Sequence, residues 1–158
     1  MIKHPISPEF DKSSTVLILG SFPSVKSREQ AFFYGHPQNR FWKVISAVFG
    51  KDVPSSVLEK KAFLRSVGVA LWDVIAECEI TGSSDTSIKN VKANDLSVVL
   101  RGSDIRKIFV NGKTALTYYD KLIKNKIGIE AICLPSTSPA NASFSLERLI
   151  DAWQIINK

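Results

Sequence analysis

The chain has 158 residues and a net charge of +6, with 44% hydrophobic and 23% charged residues. This length fits one domain, residues 1–158, that can bury a core, and no apolar run reaches the roughly 20 residues of a membrane span. The basic balance favours an anionic partner, of which nucleic acid is the commonest large one. The N-terminus lacks a signal-peptide core, so we expect an intracellular protein.

The two cysteines, Cys78 and Cys133, are far apart and form no CxxC pair. This spacing argues against a zinc finger, an iron–sulfur cluster and a disulfide framework. We expect both to be small buried residues.

Hydrophobic patterning predicts alternating strands and helices. After an extended lead-in at residues 1–14, short apolar runs predict strands at 16–19, 69–75, 106–110 and 130–134. Helical spacing predicts helices at 39–49, 54–67, 94–100 and 113–124, and a last one from 146 to 156. The expected caps are Ser56, Asn94 and either Ser143 or Ser145. The polar stretch 81–94 predicts a long surface loop.

This alternation predicts a parallel sheet covered by helices on both faces. Ligands of such folds bind at the carboxyl ends of the strands. Three candidate loops leave those ends: one after Leu19, one at Trp72–Asp73 and one after Leu134.

The first loop nearly matches a phosphate-binding pattern. Gly20 to Ser27 follows a strand and resembles GxxxxGK[ST], but Val25 stands where the second glycine is needed. Pro23 also removes one backbone donor. A nucleotide-phosphate-binding NTPase, with Asp73 as a weak magnesium partner, is therefore the alternative of another class.

An aromatic run, Phe32-Phe33-Tyr34, precedes the next helix. Three adjacent aromatics cannot all point inward, so we expect Phe32 or Phe33 in the core and at least one ring at a cavity. An aromatic face beside a basic surface can stack a nucleobase, which is worth about 1–3 kcal/mol per base.

Two polar residues follow this run. His36 has no serine or cysteine nucleophile as an obvious partner, which favours a structural role in binding loop backbone. Asn39 fits either a helix cap or an amide that holds a water or a base edge.

The loop after the last strand is a run of small residues from Ser136 to Asn141. It fits either a turn with a helix cap, or a loop that grips phosphate through hydroxyls and backbone N–H groups.

The loop that contains His36 and Asn39 and the loop from Ser136 to Asn141 together resemble the uracil-DNA glycosylase superfamily. The stretch from His36 to Ile45, HPQNRFWKVI, is similar to the HPxNRFWKVI run of mismatch-specific uracil-DNA glycosylases. The stretch from Leu134 to Asn141, LPSTSPAN, resembles the second motif of the superfamily in the form found in its hypoxanthine-DNA glycosylase branch, family 6. The resemblance covers nearly the whole chain in element order.

The resemblance implies an α/β fold, a three-layer α/β/α sandwich around a four-stranded, mainly parallel sheet. It implies a monomeric enzyme that flips a deaminated base out of DNA and hydrolyses its N-glycosidic bond. It implies neither a metal nor a cofactor, and two cysteines are too few for the iron–sulfur branches. No lysine is placed to form a Schiff base, so we expect no strand cleavage.

One departure decides the catalytic assignment. Other branches carry Asp or Asn at the third position of the first motif, where this chain has Phe22. In the hypoxanthine branch the catalytic duty is assigned to the asparagine of the HPxN run, which is Asn39. An amide is a poor base, so we expect Asn39 to orient the water or the leaving base. Most of the catalysis would then come from stabilising charge on that base and on the sugar cation.

The resemblance also assigns binding roles. Tyr34 matches the stacking aromatic, and Phe22 would close the pocket. Asp73 would accept a hydrogen bond from a purine N–H, although a surface or helix-capping role is nearly as plausible. The expected base-binding residues are Gly20, Ser21, Phe22, Tyr34 and Asp73. The expected DNA-binding residues are Ser24, Ser136, Thr137, Ser138, Pro139, Ala140 and Asn141, the last three in the minor groove.

Three functions therefore stay open. The first is removal of deaminated bases, with hypoxanthine preferred over uracil and mismatch-type uracil or thymine activity as the nearest rival. The second is the NTPase. The third is a silent nucleic-acid-binding module on the same scaffold, which would bind lesions without releasing a base.

Overall fold

The computed structural model describes all residues, 1–158. The strands are β1 (Ile2–Lys3), β2 (Val16–Gly20), β3 (Val69–Asp73), β4 (Ile75–Glu79), β5 (Lys89–Ala93), β6 (Lys107–Asn111) and β7 (Ala131–Leu134). The helices are α1 (Val25–Gln30), α2 (Phe41–Phe49), α3 (Val57–Val67), α4 (Ser97–Arg101), α5 (Lys113–Leu122), α6 (Lys124–Ile127) and α7 (Leu146–Trp153), with 3₁₀ turns at Asp85–Ser87 and Gln154–Asn157. No helix is long and apolar enough to cross a membrane.

The main sheet has four parallel strands in the order β3-β2-β6-β7. Successive residues of β2 face opposite sides, so Ile18 enters one core and Leu17 and Leu19 enter the other. Helices α2, α3 and α7 cover the first side, and α4 and α5 cover the second. The predicted three-layer α/β/α fold with its parallel sheet is confirmed.

The helix pattern in the sequence is largely confirmed. The apolar side chains of α2 that share one face are buried, and Ser56 caps α3 by accepting the backbone N–H of Glu59. Ser145 caps α7 in the same way, accepting the N–H of Arg148. The sequence pattern missed α1, since its six residues carry no apolar stripe long enough to show.

The predicted strand at 69–75 is confirmed only as far as Asp73, and the predicted loop at 81–94 is wrong in its last part, which forms β5. The chain turns at Val74, whose N–H donates to the Gly20 carbonyl at 2.8 Å, and continues as β4. Strands β1, β4 and β5 form a separate antiparallel sheet. Strand β5 was hidden because its inward residues, Val91 and Ala93, alternate with polar ones in a polar region.

Two smaller predictions are also wrong. Asn94 does not cap α4, because its side-chain amide donates to the carbonyls of Asp73 and Ile75 and ties β3 to β4. Cys78 is buried as expected, but Cys133 is exposed, since it lies on the edge strand β7 with its side chain turned away from the core.

Tyr119 makes the free energy of unfolding vary with pH in the alkaline range. It is buried, and its hydroxyl donates to the Ile129 carbonyl at 2.6 Å. Burial, with smaller contributions from Asp120 and Glu130, raises the pKa of Tyr119 to about 12. A tyrosine in the unfolded chain ionises near pH 10. The stabilisation that the buried, protonated Tyr119 gives to the folded state is therefore present below pH 10 and is lost as the pH rises to 12. We expect Tyr119→Phe to reduce the loss of unfolding free energy over this window in urea titrations, and an unchanged pH dependence would contradict the assignment.

Candidate active site

The carboxyl edge of the main sheet brings polar residues from separate loops together. Gly20 and Asp73 end the neighbouring strands β2 and β3 in register, and Asn111 ends β6 beside Leu134 of β7. Asp73 and Asn111 are nearly inaccessible to solvent. The loop after β7 then returns over this edge. The site predicted from the ends of the strands therefore exists as one row of side chains.

Asn39 joins the two loops that the sequence singled out. It lies just before α2, and its Oδ1 accepts the N–H of Phe41 at 3.0 Å and the hydroxyl of Thr137 at 2.9 Å. The backbone N–H of Arg40 also donates to the Thr137 carbonyl at 3.0 Å. The Asn39 oxygen therefore binds the backbone at the start of α2, in partial agreement with the cap interpretation. Its role in holding a water or a base edge stays a prediction.

Tyr34 places a buried hydroxyl in the same row. Its ring stacks on Phe41 with centroids 4.0 Å apart, and its backbone takes a left-handed conformation (φ 54°) that is rare for a non-glycine residue. A Cβ added at Gly20 would lie 3.1 Å from the Tyr34 hydroxyl. This hydroxyl is sealed from solvent and has no hydrogen-bond partner in the protein. Burial, and then the Asp73 carboxylate, raises the pKa of Tyr34, so its proton stays in place at neutral pH.

Asp73 is held by a residue that the sequence did not suggest. His4 Nε2 lies 2.7 Å from Asp73 Oδ2, and both side chains are about 95% buried. His4 Nδ1 accepts the N–H of Ile6 at 3.2 Å. Because Nδ1 is an acceptor, Nε2 carries the hydrogen of the neutral ring and donates it to Asp73. The ring of Phe22 packs edge-on against His4 at 5.8 Å.

Ser21 and Ser24, which we expected to bind base and DNA, already have protein partners. The Ser21 hydroxyl donates to Asp85 Oδ1 at 3.0 Å. Burial raises the pKa of Asp85, while the Ser21 hydrogen bond acts in the opposite direction. The Ser24 hydroxyl caps α1 by accepting the N–H of Ser27 at 3.1 Å.

The loop from Gly20 to Ser27 does not leave a phosphate cradle open. The Val25 N–H donates to the Ser83 hydroxyl at 2.9 Å, and the Ser27 N–H donates to Ser24. Arg28 donates to the Gly82 carbonyl, which holds the 81–88 segment over this loop. Two of the backbone donors that a phosphate would need are therefore in use, and the geometry does not favour the NTPase alternative.

The second loop is held by its own small residues. The Ser136 hydroxyl accepts the N–H of Ser138, and the Ser138 hydroxyl accepts the N–H of Ala140. The Asn141 side chain donates to the Ser136 carbonyl at 3.0 Å. Pro139 and Ala140 are exposed at the tip, where our prediction that they contact DNA stays a prediction.

Thr137 lies inside the protein instead of at the surface. It is fully buried, and its hydroxyl is shared between Asn39 and Asn111. This side chain has no hydroxyl free for a phosphate, so its predicted DNA-binding role does not fit its position. From the sequence, a hydroxyl in a loop of small residues is expected at the surface, where it could bind phosphate. Only the packing shows that the Thr137 hydroxyl points into the protein.

Arg40 fastens the second loop to α2. Its guanidinium donates to the carbonyls of Ser138 at 3.2 Å, Asn141 at 2.9 Å and Phe144. A lysine ammonium cannot span three carbonyls as this planar group does. We expect Arg40→Lys to lower the free energy of unfolding by about 1.5–3 kcal/mol, the range of a hydrogen bond to a charged group, measured by urea denaturation.

Arg148→Lys is the matched control for that measurement, because Arg148 donates to a single carbonyl, that of Ser143, at an exposed position. It should change stability by about 0.5 kcal/mol or less. Equal losses in the two variants would show that Arg40 does not hold the loop.

The remaining aromatic and histidine predictions can be placed directly. Phe32 and Phe33 are both buried in the core, as expected for this pair. His36 Nδ1 accepts the N–H of Gln38 at 3.1 Å, which confirms its role in loop structure.

The structure adds four residues to the site: His4, Arg40, Asp85 and Asn111. Two of them carried a usable signal: Arg40 stands in the HPQNRFWKVI run, and Asn111 is a polar residue that directly follows the apolar run of a strand and precedes a glycine. No group of three or more His, Cys, Asp or Glu side chains is placed to hold a metal ion. A groove of about 570 Å³ lies elsewhere, between the Gly50–Pro54 loop and α3, and contains none of these residues.

Known proteins match this chain over nearly its full length. A family model described as the uracil DNA glycosylase superfamily matches residues 7–157. A hypoxanthine DNA glycosylase of Methanosarcina acetivorans is 35% identical over 158 residues, 99% of this chain and 98% of the relative. One of Methanosarcina barkeri is 32% identical over 155 residues, 97% of this chain and 96% of the relative.

A solved structure agrees with the fold. A solution NMR structure from Methanosarcina acetivorans, described as a candidate uracil DNA glycosylase, superposes with a TM-score of 0.81 at 29% identity and covers 100% of both chains. The family match spans both loops that converge on Asn39. This chain belongs to the uracil DNA glycosylase superfamily.

Proposed function

We propose that this protein is a monofunctional DNA glycosylase that removes deaminated bases from DNA, with hypoxanthine preferred over uracil. The observation that carries the proposal is the hydrogen bond between Asn39 and Thr137, which joins the two family loops at the carboxyl edge of the sheet. Full-length relatives named hypoxanthine DNA glycosylase support the choice of base. We propose that it acts as a monomer, and inside the cell, where DNA is.

The side chains of Asp73 and Tyr34 match the hydrogen-bonding edge that deamination creates on a purine base. Hypoxanthine presents an N1–H donor beside a C6 carbonyl acceptor, whereas adenine presents an acceptor N1 beside a donor amino group. We propose that the base opens this covered edge, where Asp73 supplies an acceptor and the un-ionised Tyr34 hydroxyl supplies a donor close to Gly20. The two side chains therefore complement the deaminated base and oppose its parent.

The proposed reaction does not need a strong general base in the protein. The C1′–N bond breaks, its electron pair leaves with the base, and water adds to C1′ of the resulting sugar cation. The proton that this water loses passes through solvent, and the departed base gains one. Asn39 is an amide and contacts this region from the start of α2, so it serves by hydrogen bonding to the water or to the departing base. The row at the carboxyl edge, formed by Gly20, Tyr34, Asp73 and Asn111, contains no lysine, so we propose hydrolysis that leaves the strand uncut.

End-labelled duplexes test the proposal. Each duplex carries one deoxyinosine or one deoxyuridine, is incubated with the protein without added metal, and is then treated with alkali to cut abasic sites. We expect alkali-dependent cleavage at inosine that exceeds cleavage at uridine. Cleavage mainly at uridine would favour the mismatch-type alternative, and cleavage at neither by folded protein would overturn the glycosylase proposal.

Asp73→Asn tests whether Asp73 recognises the base through a hydrogen bond. Because His4 Nε2–H holds one oxygen of Asp73, the amide would keep its oxygen there and turn its NH₂ group toward the base. A donor would then face the N1–H of hypoxanthine. We expect kcat/KM on inosine DNA to fall about 10- to 100-fold, corresponding to about 1–3 kcal/mol, and the preference over adenine to shrink.

The charge control for that measurement is Asp104→Asn, which removes an exposed carboxylate paired with Arg106. It should leave kcat/KM unchanged. Asp73→Asn with full activity and full selectivity would remove Asp73 from the base-binding residues.

A further inference from the structure

The side-chain oxygen of Asn39 is fully used inside the protein. Two donors reach Oδ1, the Phe41 N–H at 3.0 Å and the Thr137 hydroxyl at 2.9 Å. A carbonyl oxygen offers two lone pairs, so little capacity remains for a third donor such as water. The Nδ2 group makes no hydrogen bond to a protein acceptor. The amide thus has one bound end and one free end.

The direction of the Thr137 hydrogen bond is set one residue further away, at Asn111. Asn111 Oδ1 accepts the backbone N–H of Thr137 at 3.1 Å, so its Nδ2 is the atom that faces the Thr137 hydroxyl, at 3.0 Å. A hydroxyl that accepts from Asn111 has its only proton left for Asn39. The order of donation is therefore Asn111 to Thr137 to Asn39.

We propose that Asn111 and Thr137 are positioning residues that lock the amide of Asn39 with its NH₂ group toward the substrate. Thr137 is fully buried and Asn111 is 9% exposed, so solvent does not compete for these bonds. Asn39 then acts as a donor to an atom that gains negative charge as the glycosidic bond breaks. It does not take a proton from water. This inference rests on the proposed function, and it assigns Asn39 one of the two roles left open there.

Three substitutions separate the effect of hydrogen-bond direction from the effect of side-chain packing. Thr137→Val keeps the shape and removes the hydroxyl, whereas Thr137→Ser keeps the hydroxyl. Asn111→Asp keeps the oxygen that accepts the Thr137 N–H but replaces the donor NH₂ by an acceptor oxygen. The Thr137 hydroxyl would then turn toward Asp and away from Asn39, which leaves the Phe41 N–H as the one remaining donor that holds the amide of Asn39.

We expect single-turnover base release from inosine DNA to fall on the order of 100-fold in Thr137→Val and in Asn111→Asp. DNA affinity should stay unchanged, so the loss appears in kcat and not in KM, and Thr137→Ser should restore the rate. Wild-type rates in Thr137→Val and Asn111→Asp, with Asn39→Ala inactive, would overturn the inference and leave the proposed function intact.

A second readout needs no activity. The side-chain amide resonances of Asn39, assigned in ¹⁵N–¹H spectra by their loss in Asn39→Ala, should shift in Thr137→Val and Asn111→Asp and stay in place in Thr137→Ser. Unshifted resonances in the first two variants would overturn the inference whatever the substrate proves to be. Should Thr137→Val fail to fold, Asn111→Asp carries the same test with an almost unchanged side-chain volume.

Discussion

Asn39→Ala should abolish base release while DNA binding survives. The substitution removes the side-chain amide that joins the start of α2 to the second loop. With it goes the donor that we propose for the reacting groups. Loss of one preorganised donor of this kind costs on the order of 10²–10³ in kcat. Single-turnover release from inosine DNA measures the rate, and a binding titration with uncleaved inosine duplex measures the affinity.

Stability has to be measured beside activity in this variant. Asn39 Oδ1 also accepts the Phe41 N–H at the start of α2, so the alanine variant should unfold about 0.5–2 kcal/mol more easily, as when a helix cap is lost. Ser56→Ala is the matched control, because it removes the cap of α3 away from the site. It should lower stability to a similar extent and leave the rate unchanged. An Asn39→Ala variant that releases hypoxanthine at the wild-type rate would end the catalytic assignment of this residue.

The sequence was sufficient for the main parallel sheet and for the two loops. The run from Val16 to Leu19 could only be a strand buried on both faces, and alternation with helices then required parallel pairing. The ends of the strands follow from this pattern, which by itself predicts Gly20, Asp73 and the second loop on one edge of the sheet. Local periodicity and general topology carry that much information.

The hydrogen-bond partners were beyond the reach of the sequence. His4 lies in a polar lead-in without periodicity, and it meets Asp73 because the segment runs along β3, where Glu9 pairs with Leu71. Such contacts join residues 69 positions apart and depend on the path of an edge segment. Thr137 shows the same limit, since a hydroxyl in a small-residue loop has the same sequence signal whether it faces DNA or Asn39.

Gly20→Ala should inactivate the enzyme through a single methyl group. A Cβ at this position would overlap Asp73 Oδ1 and would lie 3.1 Å from the Tyr34 hydroxyl. The backbone of β2 cannot easily shift away, because it pairs with β3 on one side and β6 on the other, and Asp73 is tied to His4. The methyl group must therefore displace one of the two side chains that we propose to read the base.

The expected loss in kcat/KM on inosine DNA is on the order of 100-fold or more, since displacements of about 1 Å at a reacting site have effects of that size. Overpacking should also lower the free energy of unfolding by about 1–3 kcal/mol. Gly128→Ala is the control for stability alone. Gly128 has a left-handed backbone (φ 71°), no atom lies within 4 Å of an added Cβ, and it precedes β7 at the amino edge of the sheet.

Alanine at Gly128 should destabilise the protein by about 1 kcal/mol through backbone strain and keep the wild-type activity. The contrast between the two glycines then separates distortion of the site from loss of fold. If Gly20→Ala retained both its rate and its preference for hypoxanthine over adenine, Asp73 and Tyr34 would not border the base, and the pocket would have to be sought on the Asn111 side of β2.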